Sequence, residues 1–145
     1  MRALLDVNVL VALFDEAHAF NERAHLWLES NKENGWASCP LTENGLTRIL
    51  SNRNYSLKIQ RSVDWILESL SGFCRATNHE FWPDEVSLRD SRIFATDRIH
   101  SSRQITDLYL LALAAHRGGR LVTFDQAIPL SVVKPATPAN LSVIS

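Results

Sequence analysis

Short apolar runs that stop at a charged or polar residue alternate along this chain with stretches whose apolar positions recur at helical spacing. The run from Arg2 to Leu5 ends in Asp6 and predicts a buried strand. Val7 to Phe14 predicts a helix after that turn, and Asn21 to Ser30, carrying Ala24, Leu26, Trp27 and Leu28, predicts a second. Asn34-Gly35 marks a turn before a second strand at Trp36 to Cys39. Pro40 then opens a helix to about Leu50, with Leu46, Ile49 and Leu50 on one face, and Ser51 to Ser56 reads as a loop. Val63, Ile66, Leu67 and Leu70 set out a helix over 59–70 that Ser71-Gly72 should stop, leaving Phe73 to Thr77 as a third strand. Trp82-Pro83-Asp84 is expected to open a further helix to about Phe94, followed by a polar connection over 96–103. Thr106 should cap a helix from Asp107 to His116 that Gly118-Gly119 ends. Arg120 to Phe124 predicts a fourth strand, met at once by Asp125, and Leu141 to Ile144 a last one beyond the proline-rich segment 129–140.

Strands alternating with helices define an α/β fold with a central, mainly parallel sheet, here expected as a single domain over residues 1–145. A chain of 145 residues buries enough surface to need neither disulfides nor structural zinc. Cys39 and Cys74 are therefore expected as two thiols, with no zinc-type spacing around them. No apolar run reaches the roughly 20 residues that cross a bilayer. Asp6 also interrupts the apolar start too early for a signal peptide, so the expected location is cytoplasmic. A net charge of −1 hides local asymmetry: segment 46–63 holds Arg48, Arg53, Lys58 and Arg61 and no acid, and segment 98–121 holds four arginines against Asp107 alone.

Ligands of parallel sheets bind beyond the carboxyl ends of the strands. Asp6 and Asp125 follow strands directly, while Glu43 and Asp107 fall in first helical turns, which face the same edge. Taken singly, each has an ordinary explanation as a turn former or as an acid favoured by the helix dipole. Together they pose a problem of charge. Two carboxylates about 4 Å apart repel by about 4 kcal/mol at an effective dielectric of 20. No Lys or Arg stands within two residues of any of the four. Either protons bind, or a hard cation such as Mg²⁺ or Mn²⁺ does, and the chemistry that suits an all-oxygen site of this kind is metal-assisted hydrolysis of a phosphodiester. Asp15, Glu16, Glu22, Glu29 and Glu33 read as solvated helix faces.

The ordered set Leu-Leu-Asp6-Val-Asn8-Val-Leu, Thr42-Glu43, Ile105-Thr106-Asp107-Leu-Tyr-Leu-Leu-Ala-Leu-Ala and Leu-Val-Thr123-Phe-Asp125 strongly resembles the PIN-domain ribonucleases, above all the VapC-type toxins of prokaryotic toxin–antitoxin pairs. Phe81-Trp82-Pro83-Asp84 and the Gly-Gly-Arg-Leu before Val122 resemble one branch of that group. The resemblance implies an α/β/α sandwich, Mg²⁺ or Mn²⁺ held by Asp6, Glu43, Asp107 and Asp125, and cleavage of single-stranded RNA. It further implies a cognate antitoxin whose tail blocks the site, and a homodimer. It gives Thr123 a place beside the fourth acid, holding water or substrate, and Asn8 the part of supporting Asp6 by a hydrogen bond. Arg48, Arg53, Arg98 and Arg103 are the candidates for guiding the RNA backbone. His79 and His100 are expected at the surface without a function, and Trp27 and Trp65 on apolar surface offered to a partner.

Three other classes compete. A phosphoaspartyl enzyme of the haloacid-dehalogenase type needs Asp-x-Asp after its strand, and here Asp6-Val7-Asn8 lacks the second acid. A receiver-like domain needs an acceptor Asp near mid-chain and a later Lys, and the only late lysine is Lys134 in the proline-rich tail. A pure binding domain, in which the acids are structural, stays open.

Overall fold

A computed structural model describes all of residues 1–145. Five strands, β1 (Ala3–Leu5), β2 (Trp36–Ser38), β3 (His79–Phe81), β4 (Arg120–Thr123) and β5 (Leu141–Val143), form one sheet in the order β3-β2-β1-β4-β5, parallel throughout. Five helices connect and cover it: α1 (Val7–Phe14), α2 (Asn21–Ser30), α3 (Pro40–Ser51), α4 (Val63–Ala76) and α5 (Ile105–His116). Side chains alternate across a strand, so β1 feeds two cores. Ala3 and Leu5 join Trp36 and Val122 under α1–α4, while Leu4 joins Ala37 and Leu121 under α5.

α5 is apolar on every side, with Leu108 to Ala114 all buried. A helix of that kind must be covered all round. The covering comes from segment 82–95 and the turns near 128–133, through Trp82, Phe94, Ile128, Val132 and Val133. A left-handed Gly118 (φ +67°) ends α5. There the Gly119 N–H bonds the Ala114 carbonyl at 2.8 Å and the Gly118 N–H that of Ala115 at 3.1 Å, the double bond of a Schellman stop. On the other face α1 and α3 lie close because position 45 has no side chain. A Cβ on Gly45 would come within 2.6 Å of Val7 Cγ2. That contact holds α3 close against the start of α1.

Four sequence expectations fail here, each for a physical reason. The fourth helix does not begin at Ile59 or stop at Ser71-Gly72. It starts after Ser62, whose hydroxyl caps it by accepting from the Trp65 N–H, and runs through Gly72 to Ala76. The cost of a helical glycine, about 1 kcal/mol, is offset by packing of Phe73 against Phe14 and Trp36, at ring-centroid distances of 5.3 and 5.4 Å. The third strand is therefore His79–Phe81, not Phe73 to Thr77. Segment 82–95 is not helical. Val86 and Leu88, two apart, both face the α5-side core, and Asp90 turns the chain by accepting from the Arg92 N–H. Phe94 then bridges Val133. Thr106 lies inside α5 rather than capping it, because the helix grows directly out of a 3₁₀ turn at Ser102–Gln104. Cys39 and Cys74 are free thiols, the first buried and the second half-buried.

Candidate active site

The register Leu5↔Val122 puts the residues that follow β1 and β4 side by side at the carboxyl edge of the sheet. Thr123, fully buried, organises that edge. Its hydroxyl donates to Asp6 Oδ2 at 2.7 Å and accepts from Asn8 Nδ2 at 3.2 Å and from the Asp125 N–H at 3.0 Å. Asp6 Oδ1 takes the Val7 N–H at 2.7 Å, which ties the same carboxylate to the start of α1. Asn8 Oδ1 takes the Phe124 N–H at 3.3 Å, and Asp125 Oδ1 takes the Ala127 N–H at 2.9 Å. Asn8 therefore does not bond Asp6, as the sequence suggested. It holds Thr123 and Phe124, and reaches Asp6 only through the threonine.

Asp107 comes to this edge from the first turn of α5. Burial, the charge of Asp6, and a hydrogen bond and charge from Asp125 push its carboxyl up to about 7. Burial also raises Asp6, with a smaller push from the Asp125 charge, against the pull of its bonds to Thr123 and Val7. No basic side chain contributes to either shift, so the mutual repulsion of Asp6, Asp107 and Asp125 has no counter-ion in the protein.

Glu43 is held differently. Its Oε2 accepts from Ser38 Oγ at 2.6 Å, and Ser38 Oγ lies 2.8 Å from His79 Nε2. The serine has one proton and gives it to Glu43, so the histidine donates Nε2–H to the serine. Burial of the ring keeps His79 below its ordinary range despite the Glu43 charge. His79 thus departs from the idle surface role expected of it. The structure brings three of the four acids into mutual contact and ties the fourth to the end of β2, because Ser38 is the donor directly below the first turn of α3. No three His, Cys, Asp or Glu side chains form a ready-made metal cage. The sequence reading missed Ser38; the available signal was a small hydroxyl residue at a strand end, just ahead of a proline-started helix.

Arg48, Arg53, Arg98 and Arg103 are all exposed. Arg48 sits in the last turn of α3, and Arg98 and Arg103 in the 3₁₀ turns that lead into the Asp107 end of α5. Arg61, Arg117 and Arg120 leave the predicted basic segments. Arg61 pairs with Asp15, Arg117 with Glu85, and Arg120 donates to Asn31. Asp15 is likewise not on a solvated face; it is buried. His100 is exposed, as expected.

The raised Asp107 predicts a pH effect. In chelator-treated protein, the folded state keeps a proton on Asp107 that the unfolded chain releases above about 4. That contribution to stability is full below the unfolded value and is lost as pH rises through about 7. Urea unfolding at pH 5.5 and 8.5 should show a fall in stability that is smaller in Asp107→Asn. Equal falls in both proteins would show that Asp107 is not the group responsible.

An all-parallel five-stranded α/β sheet with opposed acids at its carboxyl edge is the architecture of the PIN domain. The profile of the PIN domain family matches residues 3–130, and the chain belongs to that family. Within it, the chain is 46% identical over 144 residues to Ribonuclease VapC44 of Mycobacterium tuberculosis (strain ATCC 25618 / H37Rv), covering 99% of this chain and 100% of the relative. It is 41% identical over 128 residues to Ribonuclease VapC39 of the same strain, covering 88% and 91%. Among solved structures, VapBC2 from Rickettsia felis, bound to a DNA fragment from its promoter, shares the fold with a TM-score of 0.56 at 15% identity, over 88% of this chain and 90% of that one.

Proposed function

We propose that this chain is a Mg²⁺- or Mn²⁺-dependent endoribonuclease and the toxin of a type II toxin–antitoxin pair, with residues 1–145 forming its PIN domain. The observation that carries this reading is the group Asp6, Asp107 and Asp125. These acids come from three separate elements; burial, with the charges of Asp6 and Asp125, raises Asp107 to about 7, and no basic side chain neutralises them. Such a donor set, oxygen only and uncompensated, fits a hard divalent cation. Asp6, Asp107 and Asp125, with Glu43 from α3, would hold it. When bound, the ion supplies Lewis acidity toward phosphoryl oxygen and lowers the pKa of water.

The protein's own part is positional. Thr123 and the Val7 N–H fix both oxygens of Asp6, so that carboxylate does not rotate away. Asn8 locks the threonine, and Ser38 with His79 orients Glu43. Asp107 gives up its proton as a cation binds, because a ligating carboxylate must be ionised. Arg48, Arg53, Arg98 and Arg103 are exposed and have no acidic partners, and would draw the phosphate backbone toward the acids.

The names of the relatives support the ribonuclease assignment, and the VapBC neighbour is in keeping with an antitoxin partner. Trp65, half-exposed on α4, lines a hollow of about 750 Å³ with Phe14, Ile59 and Arg61 at the far end of α1, and Val63 and Leu67 are exposed on the same helix. This apolar surface suits an antitoxin tail, or the second copy in a homodimer. No helix is long and apolar enough to cross a membrane. The test is incubation of the purified chain with RNA. Cleavage should require Mg²⁺ or Mn²⁺, stop with EDTA and return when the ion is restored. Phosphatase or phosphoacceptor activity without RNA cleavage would overturn the reading.

A further inference from the structure

Beside Asp125 opens a cleft of about 420 Å³ walled by His18, Phe20, Ile49 and Phe124, with Asn8 and Asp125 at its acidic side. We propose that this cleft is the subsite for one unpaired RNA base next to the phosphate being cleaved, with Phe20 and Phe124 as its stacking platform. The inference rests on the ribonuclease reading above and adds where the substrate is gripped.

The geometry points to a nucleotide. The Phe20 and Phe124 rings lie 5.0 Å apart, and Phe20 is 37% exposed although it neighbours the buried edge of the sheet. Arg23 stacks on the same pair from outside the cleft, 4.5 Å from the Phe20 centroid and 5.7 Å from that of Phe124. The cation stiffens the platform and brings positive charge to its rim. Phe124 is one residue from Asp125, and Asn8 pins its backbone N–H. The acids and the platform therefore move as one unit, and a base on the rings keeps its own phosphate at the acids. The volume is in the range of sites that take one small ligand.

The cleft also has a polar reader. The Phe20 N–H donates to His18 Nδ1 at 2.9 Å, which leaves the proton of the neutral ring on Nε2. That N–H is a donor for the edge of a stacked base. Apolar faces for the base, one donor for its edge, an arginine at the rim and acids beside it match the parts of a nucleotide. Recognition of single-stranded RNA commonly stacks splayed bases on aromatic rings in this way.

The test uses the full chain with Mg²⁺ and an RNA oligonucleotide whose cleavage position has been mapped by sequencing fragment 5′ ends. Phe20→Leu keeps apolar volume and removes stacking, and should lower kcat/KM by about 10- to 100-fold, since base stacking on an aromatic ring contributes about 1–3 kcal/mol. Phe20→Tyr should retain the wild-type value, and unchanged melting curves would separate loss of stacking from unfolding. An abasic residue beside the cleaved phosphate should cost the wild type a similar factor and cost Phe20→Leu little more, the signature of one shared interaction. Full activity of Phe20→Leu, or two losses that multiply independently, would overturn the subsite. So would a Phe20→Leu protein that cleaves normally but loses its grip on a protein partner, since the cleft would then be a protein dock. RNA left intact by the wild type itself would instead bring down the ribonuclease reading, and the subsite with it.

Discussion

Asp107→Asn is expected to lower RNA cleavage by about a hundred- to a thousandfold while leaving the metal-free protein at least as stable at neutral pH. The substitution is nearly isosteric and removes one of three opposed charges. Repulsion in the apo state therefore falls, and the half-titrated proton disappears from the balance. Under the proposed function, catalysis would lose one of the carboxylates that hold the divalent ion, an effect of about 3–4 kcal/mol. Asp6→Asn should be as inactive but less stable. Its new amide would face the Thr123 hydroxyl, whose lone pairs already serve Asn8 and the Asp125 N–H. Single-turnover cleavage and thermal melts of the two variants check both halves. Asp107→Asn activity above a tenth of wild type, or a loss explained by melting alone, would remove Asp107 from the site.

Asp15→Ala is expected to cost about 3–5 kcal/mol of stability, a large share of the roughly 5–15 kcal/mol available to a domain. Asp15 and Arg61 form an ion pair at 3.3 Å with side chains only 10% and 8% exposed. Tyr55 donates to the same carboxylate at 2.5 Å, and the Ala17 N–H at 3.1 Å. Removing Asp15 leaves the Arg61 charge buried and uncompensated, and Arg61 Nη1 already has no partner. Asp15→Leu combined with Arg61→Met should recover most of the loss, because a packed apolar pair replaces a desolvated ionic one. Burial pushes the Asp15 carboxyl up, but the bonds from Tyr55 and Ala17 and the charge of Arg61 outweigh it and hold the group below its ordinary value. Its contribution is therefore present above about pH 4 and fades as pH falls through the lower folded value. Urea unfolding from pH 5 to pH 3 should show this decline in the wild type and not in Asp15→Ala. A loss under 1 kcal/mol for Asp15→Ala would show the pair to be solvated.

The elements read most directly from the chain are those with punctuation at both ends. β1 is closed by Asp6, β2 lies between Gly35 and Pro40, and α5 stops at Gly118. β3 escaped because it is an edge strand. His79 is half-buried, and Glu80 and Phe81 are exposed, so no apolar run announces it. α4 passed through Gly72 because Phe73 finds two aromatic partners, one of them on β2, and a local rule does not see that. The same division runs through the site. Asp6, Asp107 and Asp125 could be placed together because strand ends and first helical turns share one edge of a parallel sheet. Ser38 beneath Glu43, Asp15 facing Arg61 and Phe20 against Phe124 depend on how distant segments pack, and nothing near each residue in sequence reports its partner.

The strand order has a consequence for biosynthesis. β1 is the central strand, yet one of its two neighbours is β4, which is made long after it. The hydroxyl that holds Asp6 lies 117 residues further along the chain. At about 5–20 residues per second, Asp6 waits on the order of 10 s before Thr123 and Asp125 exist. A nascent chain, or one cut short by stalled translation, carries the first acids but neither the threonine nor the last acid. The acid group can assemble only once β4 has been made and has paired beside β1.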